Sequence, residues 1–485
     1  MRESLEVIPD PISLIEAMRA VGYSTQAAIA DIIDNSLSVN STQIKIEYDA
    51  SHNPFVSILD NGDGMNASEL TNAMRHGSRN PNDVRASNDL GRFGLGLKTA
   101  SLSQCRKLTV VSKKNNEIYS RCWDLDYVQE KNGWFVVVPN RSELEALPLY
   151  ESLANQETGT LVVWQSLDKL MSGSELHDEE MKNRMRYLHD HLSFVFHRFT
   201  QKEGSVEPIS IYINGLKLHP VDPFLTSNTF TQPLEGQVIK VYNASIIVQP
   251  YVLPHMSHLN SEEVELAGGK DGLRHNQGFY IYRNRRLVIW GTWFRLVPKE
   301  EFYKLTRVKV DIPNSLDHLW SLDIKKSAAY PPDVIRNRLK ELIPHFANIS
   351  RRTITHPGRK QKNITFEPIW ERTEPSHGTF RYDINTNHPA ILEISAKMDS
   401  EDQKNLQFLL KLTSAALPLE SIYSDLCSDS RSDMELESEL VEQLVEIAKK
   451  MVEIAGINPS DILNLDPIAR YPQHHKQIIM EIKNE

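Results

Sequence analysis

The chain has 485 residues, with 54 Lys and Arg against 64 Asp and Glu and a net charge of −10 at pH 7. That length exceeds what one hydrophobic core sustains, so two or three domains are expected, and the acidic balance excludes a uniformly basic surface for nucleic acid. Cys105, Cys122 and Cys427 lie far apart without C-x-x-C spacing, which argues against a zinc site and fits a reducing compartment. The opening MRESLEVIPD lacks a basic-then-apolar leader pattern, and no apolar run reaches the length of a membrane span. A cytoplasmic protein with no membrane partner is expected.

In chain order, Ser24 can cap a helix through TQAAIADIIDNSLS, and QIKIEY, FVSILD, KLTVVS, YSRCWD, GWFVVVP and TLVVWQ read as strands. Strands and helices interleave without a regular βαβ repeat. The pattern predicts an α+β layer with helices on one face of a mixed sheet. From about Glu207 a second set of strands follows, ISIYING, VIKVYNASIIVQPYV, GFYIYRNRRLVIW and TRVKVDIP, and then an amphipathic helix, PPDVIRNRLKELIPHFANISRR. These form a second α+β domain. Arg351 to Asn363 is polar, basic and unpatterned, and reads as a linker or exposed loop. Beyond it QKNLQFLLKLTSAALP and ELVEQLVEIAKKMVEIAG make a small helical end, with the acidic SDLCSDSRSDMELESE between them as a solvated face or loop.

Three polar stretches of the first domain carry chemistry. In the helix after Ser24, Ile29, Ile32, Ile33 and Leu37 form an apolar stripe, while Asp31, Asp34, Asn35 and Ser38 share another face. Such a face either meets water or presents an acid that poises a water next to an amide that completes a Mg²⁺ shell. Next, FVSILD runs into DNGDGMN, placing Asp60, Gly62 and Gly64 between a strand end and a helix that Asn66 or Ser68 can cap. This is either a tight turn or a place where a carboxylate accepts from an exocyclic amine such as adenine N6. Finally, GRFGLGLKTA places Gly91, Gly94 and Gly96 before a helix with Lys98 in its first turn, a loop that can aim N–H groups and charge at an anion. Leu97 separates Gly96 from Lys98, so it is not a Walker A loop. The long polar tract RHGSRNPNDVRASND before it has the character of a lid.

Taken in order over the first 165 residues, AIADIIDNS, DNGDGMN, GRFGLGLKTA and GTLVVW resemble the four motifs of the GHKL ATPases, the superfamily of gyrase B, histidine kinases, MutL and the heat-shock chaperones. The resemblance implies a Bergerat-type ATP-binding sandwich over 1–205, a ribosomal S5-like transducer domain over 206–355, and a linker and helical C-terminal region over 356–485. It implies ATP and Mg²⁺ as cofactors, with Asn35 as metal ligand, Asp60 receiving the adenine amine and Met65 against the base. Gly62 and Gly64 would shape the pocket, Gly91, Gly94, Gly96 and Lys98 would surround the phosphates, and Thr160 would assist Asp60 through a hydroxyl or a water. Asp31 occupies the general-base position, where Glu is usual, so slow turnover is expected. NQGFYIYRNRRLVIWGTW and LDIKKSAAYPP resemble the transducer of MutL and MORC-like proteins, which implies that Lys326, with Lys325 beside it, reaches the γ-phosphate.

The branch implied is an ATP-gated, dimerising clamp in a DNA transaction of the bacterial anti-phage or restriction type, with DNA and nuclease or helicase proteins as partners. Arg283, Arg285 and Arg286, Arg351 and Arg352, and RKQK at 359–362 are the candidate phosphate contacts. Two alternatives stand beside it: a pseudo-ATPase scaffold, because of Asp31, and a heat-shock-type chaperone acting on a protein partner.

Overall fold

The computed structural model describes residues 5, 7–20, 22–51, 53–77, 96–170, 177–242, 244–268, 272–317, 319–320, 331–355, 367–376, 379–418, 435–471 and 474–483. Its first sheet has seven strands: β1 (Gln43–Asp49), β2 (Phe55–Asp60), β3 (Lys107–Lys114), β4 (Glu117–Asp124), β5 (Gly159–Gln165), β6 (Ser210–Ile213) and β7 (Leu216–Lys217). They lie in the order β4-β3-β5-β2-β1-β6-β7, antiparallel except that β6 runs parallel to β1. The sheet is therefore mixed, as expected.

Strand alternation divides the core into two layers. Val56 and Ile58, Leu108 and Val110, and Val162 and Trp164 face one side, where they pack with Ile29, Ile32 and Ile33 of helix α2 (Thr25–Ser38) and Leu188 and Leu192 of helix His177–Val195. Leu59, Val111, Leu161 and Val163 face the other side and are covered by Leu153 and by Leu144, Leu147, Leu149 and Tyr150. Helical cover is thus heavy on one face and extends to part of the second. Helix α1 (Pro11–Arg19) precedes α2; α3 (Ala67–Met74) follows β2, and α4 (Gly96–Leu102) precedes β3.

Several sequence expectations change here. ISIYING, expected to open the second domain, instead joins the first sheet, because β6 pairs with β1 from Gln43↔Ser210 to Ile46↔Ile213. GWFVVVP forms no strand; its Val137 makes a single bridge to Cys122 on edge strand β4. The helix His177–Val195 was not foreseen.

The second sheet contains six strands, β8 (Gln232–Pro233), β9 (Gln237–Val241), β10 (Ala244–Val252), β11 (Gly278–Arg283), β12 (Arg286–Thr292) and β13 (Thr306–Ile312). Helix Asp333–Thr355 packs Ile335, Leu339, Ile343 and Phe346 against Phe279, Ile281, Val308 and Val310. On β11 the alternate residues Tyr280 and Tyr282 point the opposite way and join the same apolar cluster as Phe196 and Leu192 of the first domain. The neighbouring strands β11 and β12 thus supply residues to both apolar clusters, with Leu287 joining the two tyrosines and Val288 and Ile289 joining the other cluster.

Arg351 and Arg352 belong to that last helix, not to a linker, whereas 356–363 lies outside the described residues. The expected helices appear at Ser400–Ala415 and Glu435–Glu453, together with an unforeseen hairpin of β14 (Trp370–Ser376) and β15 (Thr379–Ile384). Most of the acidic stretch between the two helices lies outside the described residues. His388 caps helix Pro389–Ala396, its Nδ1 accepting from Ala390 N at 3.3 Å. No helix among the described residues is long and apolar enough to cross a membrane.

Candidate functional site

The site is assembled around α2, the end of β2 and the start of α4. Ser24 caps α2, its Oγ accepting from Ala27 N at 3.2 Å. The helix then runs against α4 and helix His177–Val195, so its polar face is enclosed and not washed by water: Asp31 and Asp34 are buried and Asn35 is half-buried. Asp31 Oδ2 accepts from the Tyr23 hydroxyl at 3.2 Å. A Cβ placed on Gly96 would stand 3.7 Å from the same oxygen, so the start of α4 lies directly against the acid.

Asp60 ends β2 and is buried. Its Oδ1 accepts from Gly62 N at 2.9 Å and Thr160 N at 3.2 Å, and its Oδ2 accepts from Ser36 Oγ at 2.8 Å. A carboxylate offers about four lone-pair sites. Three are filled by these donors, leaving Oδ2 able to accept one more. Burial pushes the Asp60 pKa up, while the bonds from Gly62, Ser36 and Thr160 oppose that rise. Ser36 follows Asn35 directly, so one helical turn connects the buried carboxylate to the acid and amide pair.

Two glycines are required by close approach. A Cβ on Gly62 would fall 2.6 Å from Val39 Cγ2 and 2.8 Å from Val39 O. Gly64, at φ +66°, would carry one 2.0 Å from Lys113 O. We expect Gly64→Ala to destabilise the fold by about 3 kcal/mol or more, from left-handed strain plus backbone overlap, visible as a lowered melting temperature. A melting point unchanged from the parent would refute this.

Thr160 reaches Asp60 through its backbone N–H. Its hydroxyl instead lies 2.9 Å from Ser112 Oγ, which donates to Gly159 O at 3.0 Å and accepts from Met65 N at 2.8 Å. Met65 is half-buried against the core. Ser112 therefore ties Met65 to the Asp60 turn. Lys98 is buried in α4, its Nζ donating to Ala73 O in the last turn of α3 at 2.9 Å; burial pushes its pKa down to about 8. Thus Gly96 stands against Asp31, and Asp60, Gly62, Met65 and Thr160 are linked at the ends of β2 and β5, which Ser36 ties to the helix of Asp31 and Asn35; Gly64 sits in the same turn, and Lys98 lies in α4 with its amine on α3. Gly91 and Gly94, Lys325 and Lys326, and the lid tract from 78 onward lie outside the described residues.

Residues 23–160 match the profile of the family described as histidine kinase-, DNA gyrase B- and HSP90-like ATPases. This part of the chain is similar to GHKL-type ATPase domains. Among curated proteins the chain is similar to the ATPase morc-1 of Caenorhabditis elegans, 25% identical over 135 residues. It is also 36% identical over 118 residues to the DNA mismatch repair protein MutL of Colwellia psychrerythraea, and 28% identical over 116 residues to the ATPase MORC2B of Mus musculus. These matches cover 27%, 24% and 23% of this chain and 15%, 18% and 11% of those relatives, so the chain matches less than a fifth of the length of each.

Sequence reasoning missed Ser36, Ser112 and Tyr23, which hold the GHKL residues in place. Ser36 had a local signal, standing inside the DNS motif; Ser112 and Tyr23 had none. The arginines of RNRR, expected to contact phosphate, are instead ion-paired within the chain. Arg283 meets Asp317 at 2.6 Å, Arg285 meets Glu203 at 2.9 Å, and Arg286 meets Asp34 at 3.2 Å, with Arg283 and Arg286 buried. One of these pairs lies within the second set of strands and two reach back to residues of the first.

Proposed function

We propose that the protein is a Mg²⁺-dependent ATPase that works as a conformational switch, closing over ATP, pairing two copies and resetting on hydrolysis. The observation that carries this reading is the Asp60 carboxylate, buried at a sheet end with one acceptor position remaining, one helical turn from an enclosed acid and amide. That position suits the exocyclic amine of adenine, and Met65 beside the turn offers an apolar wall to the base.

The metal fits the donor set. Asn35 supplies a single amide oxygen, and among the described residues no group of three His, Cys, Asp or Glu side chains could hold an ion alone. A hard cation that keeps water and phosphate oxygens as its other ligands matches such a site. When bound it neutralises charge on the triphosphate. Asp31 orients a water and takes its proton while the water oxygen bonds to the γ-phosphorus and the bond to the leaving ADP oxygen breaks. The glycine loop before α4, Lys98, and Lys325 or Lys326 from the second domain are assigned to the phosphates on the strength of the resemblance.

ATP moves the equilibrium between open and closed forms only through contacts that differ between them. A non-hydrolysable ATP analogue is expected to raise the dimer fraction in analytical ultracentrifugation. An unchanged mass distribution would count against the switch. We place the switch in a DNA transaction of the anti-phage or restriction type, with a nuclease or helicase as partner. MutL supplies the support for DNA, through the mismatch repair in its name.

A further inference from the structure

We propose that the buried Asp34–Arg286 ion pair is a positioning link, through which the second domain sets the orientation of the acid and amide face of α2. It rests on the ATPase reading above, since it assigns to the pair an effect on that reaction.

Asp34 stands three residues after Asp31 and one before Asn35, on the one helical turn that carries the proposed base and metal ligand. Its side chain is 1% exposed, and Oδ1 accepts from Arg286 Nε at 3.2 Å. Arg286 begins β12 in the second domain and is itself only 8% exposed. Its position is set from two further sides: the guanidinium lies 4.5 Å from the Phe196 ring centroid, and Nη1 donates to Leu287 O. His191, on the helix packed against α2, is held neutral, its pKa pushed down to about 3 by burial and by Arg286. Asp34 is thus answered across the domain boundary by a cation whose own geometry is fixed.

A buried charge pair is weak evidence for stability, because desolvation offsets the attraction. Its directional value is greater. On a helix, residues at i, i+3 and i+4 share a face, so a rotation of α2 that broke the Asp34 contact would carry Asp31 and Asn35 with it. A shift of the second domain would move the base and the metal ligand together, while Asp60, on β2, stays with the sheet.

The same domain junction supplies a control. Glu203 reaches across to Arg285 and also pairs with its own neighbour Arg198, which crosses to Asp311 on β13, all outside α2. The test compares the full chain with Arg286→Gln, Arg286→Lys and Glu203→Gln, reading ATPase kinetics and hydrogen exchange of the α2 amides without nucleotide. Arg286→Gln is expected to lower kcat about tenfold with KM within about twofold, and to speed exchange in α2. Glu203→Gln is expected to leave both kcat and α2 exchange within about twofold of the parent. Arg286→Lys, which keeps charge but loses the planar fork, should fall between, and carries the test if Arg286→Gln does not fold. Equal losses from Glu203→Gln and Arg286→Gln, or unchanged α2 exchange in the Arg286 variants, would overturn the link. Absence of turnover in the parent would instead remove the ATPase reading, and the exchange comparison would still judge the pair.

Discussion

Asp60→Asn is expected to lower affinity for ATP by about a hundredfold, read by calorimetry at fixed Mg²⁺ on protein whose circular dichroism matches the parent. The size follows from counting donors and acceptors. The carboxylate accepts from Gly62 N, Thr160 N and Ser36 Oγ, and the adenine amine would be a fourth donor. An asparagine amide has one oxygen with two lone pairs and places two N–H donors where the other oxygen was. At most two donors can be served, and the amide nitrogen faces either backbone N–H groups or the serine and the base. Hydrogen bonds to a charged acceptor contribute about 1.5–3 kcal/mol each, so losing the base contact alone approaches two decades. The same residue gives a pH test with a definite sign. Burial raises the Asp60 pKa, so protonation, which removes acceptor capacity, sets in above the 3.8 of an exposed aspartate. Affinity for ATP should therefore fall on acidification sooner than an exposed carboxylate would allow. Unaltered affinity in Asp60→Asn would mean that adenine is not bound at this carboxylate.

Asp31→Asn is the second large effect: turnover, followed as phosphate release, is expected to drop by about 10²- to 10⁴-fold, the range of a lost general base, while ATP affinity stays within a few-fold of the parent. The asparagine oxygen can still accept from the Tyr23 hydroxyl, which holds the side chain at 3.2 Å in the parent, so position is kept and only basicity is lost. Gly96 leaves room for either side chain, since even a Cβ built on it would meet Asp31 only at ordinary van der Waals distance. If the variant hydrolyses ATP as fast as the parent, Asp31 is not the base. If neither protein turns ATP over while both bind it, the scaffold alternative replaces the switch that resets by hydrolysis.

What the sequence revealed of the site was local in origin. A carboxylate at the end of FVSILD followed by glycines, and an acid one turn before an amide in IADIIDNS, are short-range patterns, and the structure brings them together through Ser36. The seam between the domains was not legible. Asp34 and Arg286 are 252 residues apart, and either one alone looks like a solvated charge. RNRR looked like a basic patch for the same reason, because Asp317, Glu203 and Asp34, which neutralise it, come from elsewhere in the chain. GWFVVVP has strand composition, yet only Val137 finds a partner, and composition without a neighbouring strand makes no sheet. The helix His177–Val195 did carry a signal, with Met181, Met185, Leu188, Leu192 and Val195 at helical spacing, masked by the charged residues between them.

The alternation along β11 limits how this chain can be divided. Phe279 and Ile281 belong to one interior, Tyr280 and Tyr282 to the other, so a single extended segment supplies wall residues to both halves. An excised nucleotide-binding fragment ending near residue 218 would lose Phe224, those two tyrosines and Leu287 from its lining, and Arg286 from the side of Asp34. Anyone grafting this module onto another scaffold would have to supply a substitute ribbon, with aromatic side chains on its inner edge and a cation at its tip.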